Sequence, residues 1–216
     1  MSDKSTPKKV LIELQYLPPI AYFTLLDGKE EIILEAHENF EKQTYRNRCE
    51  ILSSQQVETL TIPLKGANKK IRTKDIRIDS DQTWQIKHWR SLKTCYGKTP
   101  FFEFFADEFE PHYHKKYEFL WDLNWDLLTK CLKIIQLPIK VTETDSFEKE
   151  INNNVIDARS LINHKSKESI KGFFVPREYF QNFGNNFEKN LSVIDLLMNE
   201  GPNARNVIQE SKAVKI

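Results

Sequence analysis

Glycine is scarce, with six in 216 residues. That argues against a long flexible linker or a low-complexity chain. Cysteine is scarcer still: Cys49, Cys95 and Cys131 are odd in number and far apart, and no pair has zinc-ligand or redox spacing. Reduced core thiols in a cytoplasmic protein are the expected state. An excess of one charge is missing as well. The formal net charge of +1 gives no global attraction to nucleic acid or acidic membrane, so electrostatic recognition has to be local. No apolar run approaches the roughly 20 residues that span a bilayer. The residues after Met1 lead into an apolar run too short and too interrupted for a secretion signal. The expectation is a soluble, cytoplasmic protein with no membrane span and no nucleic-acid partner. A Walker loop, a Gly-rich dinucleotide fingerprint and a Gly-x-Ser-x-Gly elbow are also lacking, which excludes those enzyme classes. The residues name no cofactor and no metal set.

Core material is present: 14 Phe, 7 Tyr and 4 Trp within a hydrophobic content of 39%, enough for one well-buried domain over 1–216. Val10 to Tyr16 reads as a buried strand. Pro18 and Pro19 stop it and open a short helix to Leu26. Glu31 to Glu35 is a second strand with no alternation, as expected when both faces are covered. A strand, a crossover and a strand predict a parallel pair. Tyr45 to Leu52 reads as extended, with Arg46, Arg48 and Glu50 on one face and Tyr45, Asn47, Cys49 and Ile51 on the other. Glu58 to Leu64 and Lys74 to Asp79 follow as strands.

Asp81 is placed to cap a helix running to Tyr96. Pro100 to Phe109, rich in phenylalanine, reads as a helical turn or two. Lys116 to Leu137 carries the broad apolar band of a helix buried on more than one side. Ile139 to Glu143 offers a last strand, Asp157 to His164 a helical turn, and Ser192 the cap of a helix ending at Gly201-Pro202. The prediction is one α/β domain with a mainly parallel central sheet flanked by helices and a helical C-terminal part. Residues 1–8 are expected to be disordered, 152–171 a mobile loop, and 208–216 a frayed tail.

For chemistry, Lys42, Arg46 and Arg48 beside the amide of Asn47 suit capture of a phosphate or carboxylate. The same residues also fit a solvated face whose arginines pair with Glu41 and Glu50. His88, between Trp84 and Leu92 on an apolar face, is either a satisfied core histidine or a general base. His112 and His114 share one side if that segment is extended, but two imidazoles do not make a metal site. Asp79-Ser-Asp81 has the spacing with which sugar-nucleotide transferases hold a divalent ion, yet it precedes a helix that Asp81 would cap.

Several ordered blocks resemble the WbqC-like protein family. They are Tyr16-Leu-Pro-Pro-Ile-Ala-Tyr-Phe23, Phe40-x-Lys42-x-x-Tyr45-x-Asn47-Arg48, Leu60-Thr-Ile-Pro63, Trp84-x-x-Lys87-His88, Tyr96-Gly-Lys-x-Pro100-Phe, and Leu191 to Leu197 with Gly201. The chain departs from the family pattern at Glu13-Leu14, at Pro19 and Ala21, and at Phe173-Phe-Val-Pro176. The resemblance implies a place in surface-polysaccharide or O-antigen biosynthesis. It also implies a candidate site made of Lys42, Asn47, Arg48, Lys87, His88, Tyr96 and Lys98. The expected activity is a transferase acting on a nucleotide-activated sugar or sugar amine. Lys42 and Arg48 would bind phosphate, Asn47 would orient a hydroxyl or carbonyl, and His88 would take a proton. The rival expectation is a non-catalytic protein of the same pathway that binds a glycan precursor or a partner enzyme through Phe101 to Phe109.

Overall fold

The computed structural model describes residues 7–67, 70–164 and 169–213. The apolar run after Pro7 forms β1 (Lys9–Glu13). Pro19 ends the following loop and leads into α1 (Ile20–Leu26), which buries six of its seven side chains. A helix this short is marginal by itself, so tertiary burial holds it. It returns the chain to β2 (Glu31–Glu35), which runs parallel to β1 in a register ending at Glu13 opposite Glu35.

Two antiparallel pairs come next: β3 (Arg48–Leu52) with β4 (Val57–Thr61), and β5 (Leu64–Lys65) with β6 (Arg77–Ile78). Pro63, which has no N–H to give a ladder, splits the expected Glu58 to Leu64 strand in two. The chain then turns helical through α2 (Trp84–Tyr96), α3 (Phe102–His114) and α4 (Leu120–Ile135). It returns to the sheet as β7 (Lys140–Glu143) and β8 (Val155–Asp157) and closes with α5 (Val193–Glu200) and α6 (Ala204–Glu210).

The central sheet is fully parallel, in the order β7-β2-β1-β8. The prediction of an α/β domain with a parallel sheet and a helical C-terminal part holds. After β1 the chain builds to one side, then crosses to place β8 on the other, so the strand order reverses at β1. In open α/β sheets, ligands lie beyond the carboxyl ends of the strands at such a reversal.

The two ends of the fold are stitched together. Ser192 Oγ donates to Leu17 O (2.8 Å), Val193 N to Pro18 O (2.9 Å) and Ile20 N to Leu191 O (3.0 Å). Leu17 is held there at φ 40° although it is not glycine, a conformation that costs energy unless its surroundings impose it.

Several local expectations are corrected. The strand at 45–52 starts only at Arg48, because 44–47 form a turn. Alternation therefore does not extend back to Tyr45, whose hydroxyl donates to Glu50 on the Arg48 side (3.2 Å). Asp81 does not cap α2: Thr83 occupies that position without a side-chain bond. The phenylalanine-rich segment is a full helix that accommodates Pro111, so His112 and His114 are helical and not extended. His112 meets Tyr117, while His114 faces Glu110 in solvent. No helical turn forms between Asp157 and His164, where β8 ends and turns follow. α6 continues to Glu210 with Ile208 buried, where fraying was expected. The expectations for residues 1–6, 165–168 and 214–216 lie outside the described residues. Ser192 does cap α5, accepting from Ile194 N. Among the described residues, no helix is long and apolar enough to cross a membrane.

Candidate functional site

Glutamate ends both central strands. At those positions the parallel register sets Glu13 beside Glu35 on adjoining strands, and both are buried, at 1% and 0% exposure. Glu13 accepts from Gln15 Nε2 (2.8 Å) and from the backbone N of Ser160 (2.9 Å). Glu35 accepts from His37 N (2.9 Å), Thr144 Oγ1 (3.0 Å) and Arg159 Nη1 (3.2 Å). Arg159 also grips Asp157 with two nitrogens, Nε at 3.0 Å and Nη2 at 2.6 Å.

A third carboxylate, Glu38, follows β2. Arg46 Nε donates to its Oε1 (2.8 Å). Nη2 lies 2.6 Å from the same oxygen without hydrogen-bond geometry, so that contact is ionic only. Burial pushes the Glu38 carboxyl up to about 7 against the pull of Arg46, and Glu13 and Glu35 add to the rise. A proton-transfer group works best near the operating pH. Glu38 and Arg159 line a cavity of about 370 Å³, together with His37, Glu41, Phe147 and Ser160.

Polar atoms without partners gather around the same turn. Gln15 Oε1, Asn47 Oδ1, Asn124 Oδ1 and Arg48 Nε are buried and unbonded among the described residues. The amides are oriented by what their nitrogens meet: Asn47 Nδ2 donates to Ile62 O (2.9 Å), and Asn124 Nδ2 to Arg46 O (2.8 Å). Buried polar atoms are hydrogen-bonded in the great majority of cases, so each of these asks for an explanation. Arg48 is half-buried, with no ion pair among the described residues. Its Cα lies within about 7.6 Å of that of Arg46 by chain geometry alone.

The other residues singled out from sequence are placed as follows. Lys42, Lys87 and Lys98 are exposed on the surface. His88 is buried, with Nδ1 3.0 Å from the Tyr16 hydroxyl, which also meets the Tyr113 hydroxyl at 2.9 Å. Burial pushes the imidazole down to about 4, opposed by a hydrogen bond to the Thr61 backbone. The Cys49 thiol acts on both Tyr16 and Tyr113, so His88 belongs to the Cys49 side of β3. Strand alternation turns Arg48 to the opposite side, with Glu50. Arg46, two residues before Arg48, is the member of this segment that reaches Glu38, while His88 bonds the backbone of Thr61, the register partner of Arg48 across the β3–β4 pair.

Tyr96 donates to Asp195 Oδ1 (2.9 Å) and accepts from Leu52 N (3.3 Å). Tyr179 donates to Asp195 Oδ2 (2.6 Å), which makes Tyr96 a buried buttress between β3 and α5. Sequence reasoning missed Glu13, Gln15, Glu35, Glu38 and Arg159. The available signal was a glutamate closing each of two apolar runs.

Comparison with known proteins places this arrangement in a wider setting. The WbqC-like protein family matches over residues 15–172 and 153–207, a span that takes in Gln15, Glu35, Glu38, Arg48 and Arg159 and begins after Glu13. An uncharacterized protein of Mycobacterium tuberculosis (strain ATCC 25618 / H37Rv), Rv1507c, is 26% identical over 224 residues, covering 91% of this chain and 95% of its own. No solved structure matches.

Proposed function

Because the chain belongs to the WbqC-like protein family, we propose that it is a cytoplasmic transferase of surface-polysaccharide or O-antigen biosynthesis. Its substrate in this reading is a nucleotide-activated sugar or sugar amine. One observation carries the reading: Glu38, a carboxyl whose pKa is raised to about 7, stands at the carboxyl edge of a parallel sheet and is bonded by Arg46, two residues before Arg48, which has no ion pair among the described residues. Glu38 takes the proton from the acceptor's hydroxyl or amine. The acceptor's lone pair forms the bond to the donor's electrophilic carbon, and the leaving group departs with the electron pair of the broken bond. Arg48 meets the charge of the nucleotide phosphates, and Asn47 Oδ1 accepts from a substrate hydroxyl. His88 braces Tyr16 and carries no proton in this scheme. Lys42, Lys87 and Lys98 act only as surface charges that draw anions in.

A thermal-shift screen of the full chain against nucleotide sugars tests this, since a ligand of the native state raises the melting temperature by mass action. A shift lost in Arg48→Ala is the expected result. If no nucleotide sugar moves the transition, the reading fails.

A second reading, a non-catalytic binding partner in the same pathway, draws on one feature. Phe104 is 74% exposed on α3, while Phe102 and Phe109 are buried. Undiminished recovery of partners by Phe104→Ser in a pull-down would dispose of it.

A further inference from the structure

A second cavity, of about 390 Å³, adjoins the 44–47 turn: Tyr45 lines it, and Arg46, the next residue, reaches Glu38. Its volume falls in the ~300–1,000 Å³ range of small-molecule sites, which are mostly apolar with a few fixed polar groups. Ile162, Ile170, Phe174 and Phe187 supply apolar wall. The Ile162 carbonyl accepts from Gln15 Nε2 (3.1 Å), two residues beyond β1. That bond sets the wall at the carboxyl end of the strand where the sheet order reverses, the usual place for a ligand in an open α/β sheet.

Glu50 is the shielded charge of this cavity, its side chain 17% exposed. Lys171, Glu188 and Lys189, which also line it, are exposed. The Glu50 carboxylate is held from both sides: the Tyr45 hydroxyl donates to Oε2 (3.2 Å), and His164 Nε2 lies 2.9 Å from Oε1. A carboxylate accepts at about four positions, so among the described residues each oxygen keeps room for one more donor.

Apolar walls around one held carboxylate suit a flat ring that brings two N–H groups side by side. Proteins read nucleobases in this way, by stacking and by hydrogen bonds to the Watson–Crick edge. Guanine carries two adjacent donors on that edge, N1–H and the N2 amine. Adenine and cytosine pair one amino donor with an acceptor nitrogen, and uracil sets its N–H between two carbonyls. Each of those three turns an acceptor against the carboxylate.

We propose that this cavity receives the guanine base of the nucleotide donor, with Glu50 accepting from N1–H and the N2 amine. This rests on the nucleotide-sugar reading above and narrows the donor to a guanosine diphosphate sugar. Arg48 stands on the Glu50 side of β3, with ~7 Å between the two Cα atoms. Its buried Nε has no acceptor among the described residues, and the diphosphate next to the bound base supplies one.

Titration calorimetry of the full chain with GDP-, ADP- and UDP-glucose, and with GDP against IDP, tests this. IDP differs from GDP only in lacking the N2 amine. GDP-glucose is expected to bind at least ~10-fold more tightly than the other two sugars, and GDP ~10-fold more tightly than IDP, the scale of one charge-assisted hydrogen bond. Glu50→Gln keeps the shape, removes the charge and should erase most of both preferences. The GDP–IDP comparison needs no variant, so it decides the matter even if Glu50→Gln does not fold. Equal affinity for the three sugars, or a GDP preference that survives in Glu50→Gln, overturns the guanine inference and leaves the nucleotide-sugar reading standing. GDP bound in preference to IDP, with GDP-glucose rejected, upholds the guanine site and overturns the sugar donor. Binding of none of the probes overturns both.

Discussion

Glu13 and Glu35 are register partners on the last rung of β1 and β2, two neighbouring glutamates that are both buried. Uncompensated, such a pair costs several kcal/mol. Here it is held by Ser160 N, Gln15, Thr144, His37 N and Arg159. Its field reaches Glu38 and helps to lift that carboxyl to about 7.

If Glu38 accepts the proton, it must be ionised to act. The transfer rate should rise with pH through about 7 and level off above it. Glu38→Gln should lower kcat/KM by ~100-fold or more, the usual worth of a general base. A pH–rate profile flat between about pH 5.5 and 8.5 would remove Glu38 from this role.

Arg48 should show a split between stability and binding. No native ion pair depends on it among the described residues, so Arg48→Ala should change unfolding free energy by less than ~0.5 kcal/mol. The same substitution should weaken nucleotide-sugar binding by about 10- to 100-fold, as expected for a charge-assisted contact to phosphate. Urea titration and calorimetry on one preparation check both halves.

Asp195 should make the fold more stable in mild acid. Burial raises its folded-state pKa from 3.8 to about 6, so the folded protein holds this proton more tightly than the unfolded chain does. That contribution is fully present below about 3.8 and is lost as pH climbs through about 6, a change of roughly 3 kcal/mol. Glu38 has the same sign, from 4.5 to about 7. His88 has the opposite sign, gaining stability as pH rises from about 4 towards 6.5. Denaturant midpoints for the wild type and Asp195→Asn at pH 4 and pH 7 isolate the aspartate. The gap between the two proteins should change with pH, and a constant gap contradicts the assignment.

Gly201 ends α5 at φ +53°, and a Cβ there would come within 2.4 Å of the Phe101 ring. Gly201→Ala should therefore cost about 2 kcal/mol or more, combining backbone strain with the clash. Adding Phe101→Ala should recover part of that loss, giving a less-than-additive double mutant in denaturant melts.

What the sequence discloses here follows the range of each interaction. β2 and α4 were legible because Glu31 to Glu35 and Leu120 to Ile135 carry their hydrophobic pattern within one element. β8 was not legible: Val155–Asp157 sits in a polar stretch and becomes a strand only because β1 offers it an edge. The Arg48 and Asn47 cluster was visible as local composition. The turn at 44–47, which gives Arg46 to Glu38, was not visible. Glu13 and Glu35 are 22 positions apart and become neighbours only through parallel register, so each alone looks like a polar residue closing a strand. His88 was correctly placed on a buried face. In that burial the ring meets the Tyr16 hydroxyl and the Thr61 backbone.

The bonds from Ser160 and Arg159 to the paired glutamates have a consequence for synthesis. A nascent chain carries Glu13 and Glu35 out of the ribosome more than a hundred positions before Thr144, Arg159 and Ser160, which bond them in the finished fold. The stitch from Leu17 to Ser192 waits longer still. Until the chain as far as Ser160 has emerged, the acidic end of the sheet lacks Thr144, Arg159 and the Ser160 N–H.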